Sequence, residues 1–461
     1  MISPRIDPTE GPLFKKTLTY AIPIMLTGVL QLMFNAADLM VVGQFCGSNS
    51  LAAVGATGSL TSLLVNLFIG MSVGAGVATA HAIGSRDNMK ISHTVHTAIP
   101  AAFICGVFLA ILGVFLSPAL LQLTSTPEEV IDLAAVYMRL YFLGMPSHLL
   151  VNFGTAILRA AGNTKGPMMY LTLSGVVNLI FNVIFVTVFH MDVAGVALAT
   201  TISATVAAVL ILLSLKYRDD AVRLIFKRMK IRKEPLLKII KIGLPAGFQS
   251  SMYSISNVII QSSINSFGAA AISGNAAAIS VESFVSTAMD AFPQTAMNFT
   301  GICVGAKRED RIIKIMLTCI LFSVSLSIPL GILVYLAGDP LLSLYISDSQ
   351  EAIAYGIIRL SCLSAPYVIF GLLSHFALTM RGMGYSIQPM LITVVGVCAF
   401  RIFWIYTVFS IEQYHTFFCL MLSYPVSWAV TWLAQMGYFL FIWKKRLKHA
   451  CLAAEQPDTA S

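Results

Sequence analysis

Long apolar runs separated by short polar segments dominate the chain and define its predicted elements. Most of these runs are apolar on every side, without the alternation that a transmembrane β-barrel strand requires. A bilayer core takes about 20 apolar residues per helical crossing, so each run predicts a transmembrane helix. The twelve predicted spans lie near residues 17–44, 51–83, 92–121, 129–153, 167–190, 193–216, 238–266, 270–304, 312–337, 351–379, 384–410 and 414–443.

The composition supports an integral membrane protein. Of the 461 residues, 57% are apolar and only 11% are charged, and the mean hydropathy is +0.82. Soluble domains carry about 25% charged residues, so most of this chain cannot face water. The polar N-terminus runs into the first span after Lys16, which predicts an uncleaved first helix rather than a signal peptide.

The basic residues predict the orientation of the bundle. The N-terminal arm, the even-numbered loops and the tail hold 26 of the 29 Lys and Arg residues, ten of them between Lys216 and Lys241. The odd-numbered loops carry acids instead, such as Glu128, Asp192 and Asp348. Cytoplasmic loops retain Lys and Arg, so we predict a multi-pass protein of the cell membrane, a bacterial inner membrane, with both termini cytoplasmic. The net charge of +8 then reflects topology and contact with anionic lipid, and predicts no nucleic-acid partner.

The two halves of the chain resemble each other at an offset near 222 residues. Pro23 matches Pro245, and the loop after Arg159 matches the loop after Arg381 at Arg, Gly, Pro and Met positions. Six spans in each half keep the same orientation, which is typical of the parallel repeats of transporters. We therefore predict an all-α fold of twelve transmembrane helices in two pseudo-symmetric six-helix lobes. The predicted segments are an N-terminal arm 1–16, an N-lobe 17–216, a basic linker 217–237, a C-lobe 238–443 and a tail 444–461.

Polar residues within the first lobe predict an ion-coupling site. In the first span Thr27, Gln31, Asn35 and Asp38 share one helical face, which must face the protein interior or water. At a similar depth lie Asn178, Asn182 and Thr200 of spans five and six. A carboxylate among amide and hydroxyl oxygens suits Na⁺, whereas a desolvated carboxylate suits a proton. The other interpretation is a structural hydrogen-bond cluster between helices.

Two polar stripes in the second lobe predict a substrate cavity. Span seven carries Asn257 and Gln261, and span eight carries Glu282, Ser286, Asp290, Gln294 and Asn298. We expect Gln31 and Asn35 of span one to line the same substrate cavity as Asn257, Gln261, Glu282, Ser286 and Asp290. Such stripes line water-filled cavities, and a cavity of net negative charge selects cations. Arg401 in span eleven is the candidate counter-charge, and its alternative role is to neutralise Glu282 or Asp290. Arg139 and Arg359 are expected to snorkel outward.

Taken over nearly its whole length, the chain resembles the multidrug and toxic compound extrusion (MATE) family. The resemblance rests on Pro23, the segment Asn35-Ala-Ala-Asp38, the Arg159-Ala-Ala-Gly-Asn loop, Asn178-x-x-x-Asn182 and the segment Gly195 to Thr200, together with the 6+6 layout. It implies a V-shaped pair of lobes that exports organic cations against entering H⁺ or Na⁺. It also implies that Asp38 couples transport, with Asn178, Asn182 and Thr200 beside it. Many relatives carry Asp where Asn182 stands, which changes the ligands available to Na⁺.

We expect an antiporter of amphipathic organic cations that acts as a monomer in membrane lipid, without a cofactor other than the coupling ion. The first alternative is a flippase of lipid-linked oligosaccharide or polysaccharide, for which more basic residues are expected in the cavity. The second is a membrane-embedded enzyme, which needs clustered acid, His or Cys groups. No such cluster and no nucleotide-binding Walker motif occurs in the sequence.

Overall fold

The computed structural model describes residues 6–123, 126–346 and 349–454, and this part of the chain is almost entirely helical. The predicted arm and tail are described only from residue 6 and up to residue 454, and the predicted external acid Asp348 lies outside the described residues.

The first half of the chain forms the six predicted spans from seven described helices. Span four is divided at Gly144, where Pro146 in the first turn of the next helix lacks the N–H that a continuous helix needs. Span five ends in a π-helical turn, Ile184–Val188. The helices are α1 Leu13–Phe45, α2 Ser48–Gly84, α3 Asn88–Leu123, α4 Glu128–Leu143, α5 Met145–Ala160, α6 Lys165–Val183 and α7 Asp192–Lys216.

The second half repeats this plan, with span ten broken before Pro366 by a bend of 52°. Span eleven is divided by a π-helical stretch, Val394–Ala399, and one short helix outside the predicted spans, α11, precedes span ten. The helices are α8 Lys233–Asn265, α9 Ala269–Gly305, α10 Ile312–Leu336, α11 Gly338–Ser343, α12 Gln350–Ser364, α13 Tyr367–Gly382, α14 Ile387–Thr393, α15 Phe400–Thr407 and α16 Phe417–Ala454.

Length and hydropathy alone identify fewer spans than the pattern of runs does. Eight helices of the described chain are long and apolar enough to cross a membrane, or nine if the bent pair α12 and α13 forms one span. The helices α8 and α9 are not among them, although each has more than 30 residues. Their polar stripes lower the mean hydropathy, and much of α9 is buried by other helices rather than exposed to lipid.

The repeat is visible in the backbone as well as in the residues. Left-handed φ angles occur in pairs 221 or 222 residues apart, at Gly47 (88°) and Gly268 (90°) and at Gly162 (82°) and Gly384 (94°). Arg86 (54°) and Lys307 (57°) form a third pair, in the turns that follow α2 and α9. Because such angles are uncommon outside glycine, their recurrence shows that the two halves turn their loops in the same way.

Glycines bring the two halves into close contact along α2. A Cβ on Gly70 would lie 2.1 Å from the backbone nitrogen of Gly247, and a Cβ on Gly74 would lie 2.7 Å from that of Gly243. Only glycine permits helices to approach so closely. Near the end of α2, Gly84 meets Gly305 of α9 in the same way.

These contacts join the two lobes over the half of the bundle that lies nearest the N-terminal arm. We call the end with the N-terminal arm and the even-numbered loops the basic end, and the opposite end the acidic end. From the basic end, the seam between the halves runs through Gly84–Gly305 and the glycine pairs of α2 and α8 to Asn66, whose Nδ2 donates to Ser254 Oγ at 3.4 Å. On α1 it runs from Tyr20, which packs on Phe299, to Gly28 against Thr287. Beyond the seam, toward the acidic end, α1 continues to Phe45 with Gln31 and Asn35 exposed.

Candidate functional site

A cavity of about 700 Å³ lies inside the first half of the bundle. This volume is within the range of small-molecule binding sites, about 300–1,000 Å³. Its walls come mainly from α1, α2, α5, α6 and α7, and α9 contributes Gln294, Met297 and Asn298 from the second half. The polar side chains that line it include Gln31, Asn35, Asp38, Tyr141, His148, Asn152, Arg159, Asn178, Thr200, Gln294 and Asn298.

The four residues of the predicted ion-coupling site converge at one part of this cavity. Asn182 Nδ2 donates to Asp38 Oδ1, and the Asn178 amide lies 2.7 Å from the same oxygen and donates to it when its nitrogen faces the carboxylate. The Asn178 amide also lies 3.3 Å from Thr200 Oγ1. Asp38, Asn178 and Thr200 line the cavity, whereas Asn182 is fully buried behind Asp38.

Helical spacing produces this cluster. Asn178 and Asn182 are one turn apart on α6, so both amides face α1, and the tight packing of α6 on α1 brings them to Asp38. A Cβ on Gly175, one turn earlier, would lie 2.1 Å from the ring of Phe34, so glycine is required for that approach. Asn182 Oδ1 is buried and has no hydrogen-bond partner among the described residues, which leaves an acceptor free beside the carboxylate.

A guanidinium and other polar groups line a different part of the same cavity. Arg159 Nη1 donates to Gln294 Oε1 of the other half at 3.1 Å, and Tyr20 Oη donates to the Arg159 carbonyl at 2.6 Å. Tyr20 and Asp38 are 18 residues apart on α1, about 27 Å along the helix, so the anchoring point of Arg159 lies far from the Asp38 carboxylate. The cavity therefore has a carboxylate in one part and a guanidinium in another.

Sequence reasoning missed part of this lining. The missed side chains share one face across the α4–α5 break, with spacings of seven, four and seven residues, and that helical period was a usable signal. They are Tyr141, His148, Asn152 and Arg159. In the sequence, Arg159 supports the internal repeat and the family resemblance, and it was not predicted to line a cavity.

Of the predicted polar stripes of the second lobe, Gln294 and Asn298 of α9 reach this cavity, but the residues predicted to bind the substrate do not. None of the described side chains of Asn257, Gln261, Glu282, Ser286, Asp290 and Arg401 lines it. Gln31 and Asn35, which were predicted with them, do line it beside Asp38.

Glu282 has a buried partner that was not predicted from the sequence. Arg359 Nε and Nη2 donate to the two carboxylate oxygens at 2.9 and 2.8 Å, and Arg359 is only 4% exposed. The expectation that Arg359 snorkels outward is therefore wrong. Its Nη1 donates to Asn275 Oδ1 at 2.8 Å, and Asn275 Nδ2 donates to Gln261 Oε1 at 3.2 Å, so Gln261 belongs to the same network.

Within the part of the chain that the structure describes, Arg401 forms no ion pair with Glu282 or Asp290. Its Nε donates to Ser427 Oγ at 3.0 Å, and its guanidinium stacks over the Tyr424 ring with 4.0 Å to the centroid. Cation–π contact of this kind stabilises a desolvated guanidinium. Asp290 has no hydrogen-bond or ion-pair partner among the residues that the structure describes.

The charged groups in the interior of the second half include more arginines than acids. Two acids, Glu282 and Asp290, stand against three buried arginines, Arg359, Arg381 and Arg401. Arg381 Nη2 donates to Gln249 Oε1 at 2.8 Å and forms no ion pair within the described chain. With all five groups ionised the balance is positive, which does not favour the cation-selective negative cavity predicted in this half.

The family of this chain follows from its similarity to known proteins. The family model MatE matches the chain twice, over residues 23–184 and 245–407, and the second match begins 222 residues after the first. The chain belongs to the MATE family. The two matches also confirm the predicted internal repeat at its predicted offset.

Individual relatives agree with this assignment. The chain is 27% identical over 440 residues, 93% of each chain, to the probable multidrug resistance protein YoeA of Bacillus subtilis (strain 168). It is 27% identical over 401 residues to an FAD transporter of Shewanella oneidensis, covering 84% of this chain and 86% of the other.

A solved structure confirms the predicted fold. The crystal structure of a MATE protein in complex with MaL6 matches 97% of this chain and all of that chain, with a TM-score of 0.90 at 20% identity. Twelve transmembrane helices in two lobes are therefore the architecture of this chain. As a MATE protein it is a membrane transporter and not an enzyme, which removes the alternative of a membrane-embedded enzyme.

Proposed function

We propose that this MATE transporter exports amphipathic organic cations from the cell in exchange for entering H⁺ or Na⁺, with Asp38 as the coupling residue. The observation that carries the proposal is the cavity in the first lobe, where Asp38 is the only acidic lining residue of the described chain. The relation to a probable multidrug resistance protein supports the substrate class. The basic loops support a cytoplasmic basic end in a bacterial cell membrane.

In this proposal the structure represents the state that is closed to the cytoplasm. The glycine seam joins the lobes in the basic half, while Gln31 and Asn35, beside Asp38, are exposed toward the acidic end. A cation that leaves from this state departs on the outer side. Return to the other state requires the seam to separate, as alternating access demands.

Charge in the cavity links the ion to the substrate. With Asp38 ionised, its carboxylate balances the guanidinium of Arg159 and an organic cation is tolerated. When H⁺ or Na⁺ neutralises Asp38, Arg159 remains as the charged group of the cavity and repels the cation. Ion entry therefore promotes release of the substrate, which is the requirement of antiport.

The donor set is compatible with either ion. A proton needs only the Asp38 carboxylate, which two buried amides surround. Na⁺ would use oxygen ligands, and Asp38, Thr200 and the partner-free Asn182 Oδ1 supply three. We propose a monomer as the working unit, because all of these groups come from one chain.

Dye efflux from vesicles tests the proposal. The purified protein is reconstituted, a cationic dye is loaded, and efflux is driven by a pH gradient or by a Na⁺ gradient. We expect one of the two gradients to drive efflux and Asp38→Asn to abolish it, whereas Asp132→Asn, an exposed acid on α4, leaves it unchanged. Full ion-driven efflux by Asp38→Asn overturns the role of Asp38.

A second candidate is the transport of anionic compounds, including the lipid-linked oligosaccharides of the predicted flippase alternative. The observation in its favour is the surplus of buried arginines in the second lobe. The FAD transporter of Shewanella oneidensis is 27% identical to this chain, the same identity as the multidrug resistance relative. Parallel assays with one cationic and one anionic dye separate the candidates, because each predicts that only its own dye is moved.

A further inference from the structure

A second cavity, of about 660 Å³, lies at the basic end, far from the Asp38 cavity. It is formed between the first turns of α3 and the linker that joins the two lobes. Four basic side chains line it, and none of its described lining residues is acidic. These side chains are Lys227, Arg228, Lys230 and Arg232, and Ser92, His93 and His96 of α3 form the facing wall.

The linker is fixed on α3 by specific hydrogen bonds. His96 is buried; its Nε2 accepts the N–H of Ile225 at 3.0 Å and its carbonyl accepts the N–H of Lys230 at 3.3 Å. Thr97 Oγ1 accepts the N–H of Arg232 at 3.2 Å and donates to the Lys230 carbonyl at 3.3 Å. These bonds hold the backbone that carries the four cations, so the cavity is a defined part of the fold.

The cations of this cavity are not neutralised by the protein. None of the four forms an ion pair with a residue of the described chain, in contrast to nearby Arg218, which pairs with Asp220. Lys227, Arg228 and Lys230 are exposed. Like charges held together in this way repel each other, and the repulsion is relieved by an anion.

Apolar side chains beside the cavity distinguish a lipid from a soluble anion. Phe226 is 47% exposed, Ile231 is 40% exposed and Met89 is 67% exposed. Phe226 and Ile231 adjoin the basic residues in sequence, and Met89 lines the cavity from α3. The helix α3, which begins at Asn88, is one of the helices apolar enough to cross a membrane. The cavity thus lies where a membrane helix ends, at the level of phosphate head groups.

We propose that this cavity binds the phosphate head group of an anionic phospholipid, with the acyl chains against the exposed apolar side chains. Basic pockets at the membrane surface bind such head groups, and each nearby Lys or Arg adds to the attraction. The bound lipid fastens the linker at the junction between the lobes. This site is independent of the transported substrate and of the coupling ion.

Lipid enrichment around the reconstituted protein tests the proposal. The full chain is placed in nanodiscs of phosphatidylcholine with 20 mol% phosphatidylglycerol, and the lipid that remains bound is quantified by native mass spectrometry. We expect wild type to retain phosphatidylglycerol selectively. The combined variant Lys227→Gln, Arg228→Gln and Lys230→Gln should lose that selectivity at least about tenfold.

A matched control removes as many charges elsewhere at the same end. Lys15→Gln, Lys307→Gln and Lys314→Gln change three exposed lysines that do not line the cavity, and should retain the selectivity. An equal loss in both triple variants means that only general surface charge attracts the lipid, and this overturns a specific site. Unchanged selectivity in the cavity variant also overturns it.

Two measurements on wild type need no variant. Selective retention of phosphatidylglycerol should fall as ionic strength rises, and retention that is indifferent to salt contradicts the proposal. Glycerol phosphate carries the same phosphate without acyl chains. If it displaces the lipid at comparable concentration, the occupant is a soluble phosphate compound and the lipid assignment is wrong.

Discussion

Arg359 on α12 donates two hydrogen bonds, of 2.8 and 2.9 Å, to the carboxylate of Glu282 on α9 in the interior of the second lobe. Its counterpart in the repeat, Arg139 on α4, is exposed. The two arginines occupy similar places in similar sequence, yet within the described chain Arg359 forms an ion pair and Arg139 does not. The lobes therefore share a backbone plan and differ in the charge chemistry of their interiors.

Separating this ion pair should destabilise the protein strongly. Glu282→Gln leaves the buried guanidinium of Arg359 without its carboxylate, and breaking a buried pair costs about 3–5 kcal/mol. Arg359→Met should cost a similar amount. The measurement is thermal or denaturant unfolding of the purified protein in detergent.

Two further variants make that test specific. The combined variant Glu282→Gln with Arg359→Met should recover much of the loss, because no uncompensated charge remains. Arg139→Gln should leave unfolding unchanged. If the double variant is as unstable as the two single changes added together, the two residues act separately and the pair is not the cause.

Enlarging a glycine of the seam should force the lobes apart at the basic end. Gly247→Val places a side chain where a Cβ alone lies 2.1 Å from the Leu67 carbonyl oxygen of α2. A disulfide between Asn66→Cys and Ser254→Cys, whose native side chains are 3.4 Å apart, reports the closed seam. We expect the yield of this disulfide to fall severalfold when Gly247→Val is added.

Gly58→Val is the control for the seam, because a Cβ at Gly58 on α2 has no described atom within 4 Å. Its disulfide yield should equal that of the cysteine pair alone. Equal disulfide yields in the Gly247→Val and Gly58→Val variants would show that the close contact at Gly247 does not control the distance between α2 and α8, and would contradict the prediction.

Arg159→Gln should uncouple substrate release from ion entry. Without the guanidinium, neutralised Asp38 leaves a cavity that no longer repels an organic cation, so the apparent affinity for the cationic dye rises while its turnover falls. KM and maximal rate in the vesicle assay measure the two effects. Lys165→Gln, an exposed lysine at the start of α6, should alter neither; a rise in KM for Arg159→Gln contradicts the charge argument.

Asp87 should give the α2–α3 loop a measurable pH dependence. Hydrogen bonds from the backbone N–H groups of Lys90 and Met89, at 3.1 and 2.9 Å, lower the pKa of Asp87. A lowered pKa means that this contribution to stability is present above the ordinary Asp pKa of about 3.9 and is lost as the pH falls below it. Asp87→Ala should therefore lower the unfolding midpoint at neutral pH, with a smaller difference in acid. A difference that does not depend on pH excludes the ionised carboxylate as its source.

The sequence determined much of the architecture. Apolar runs and turn residues respond to the bilayer and to local backbone geometry, so twelve spans, the repeat and the gathering of Asp38 with Asn178, Asn182 and Thr200 were predicted from spacing alone. Polar residues one turn apart on a membrane helix must face the interior, and helices of known length set their depth.

Which interior groups meet across helices was decided only by tertiary structure. Arg359 was expected to point outward, and Arg401 was expected to neutralise an acid, because spacing along one helix carries no information about the rotation of its neighbours. The cavity lining from α5 and the fastening of the linker by His96 depend on packing between elements distant in sequence. Burial and charge pairing are properties of these contacts, and for that reason the net charge of each lobe's interior could be read only from the folded chain.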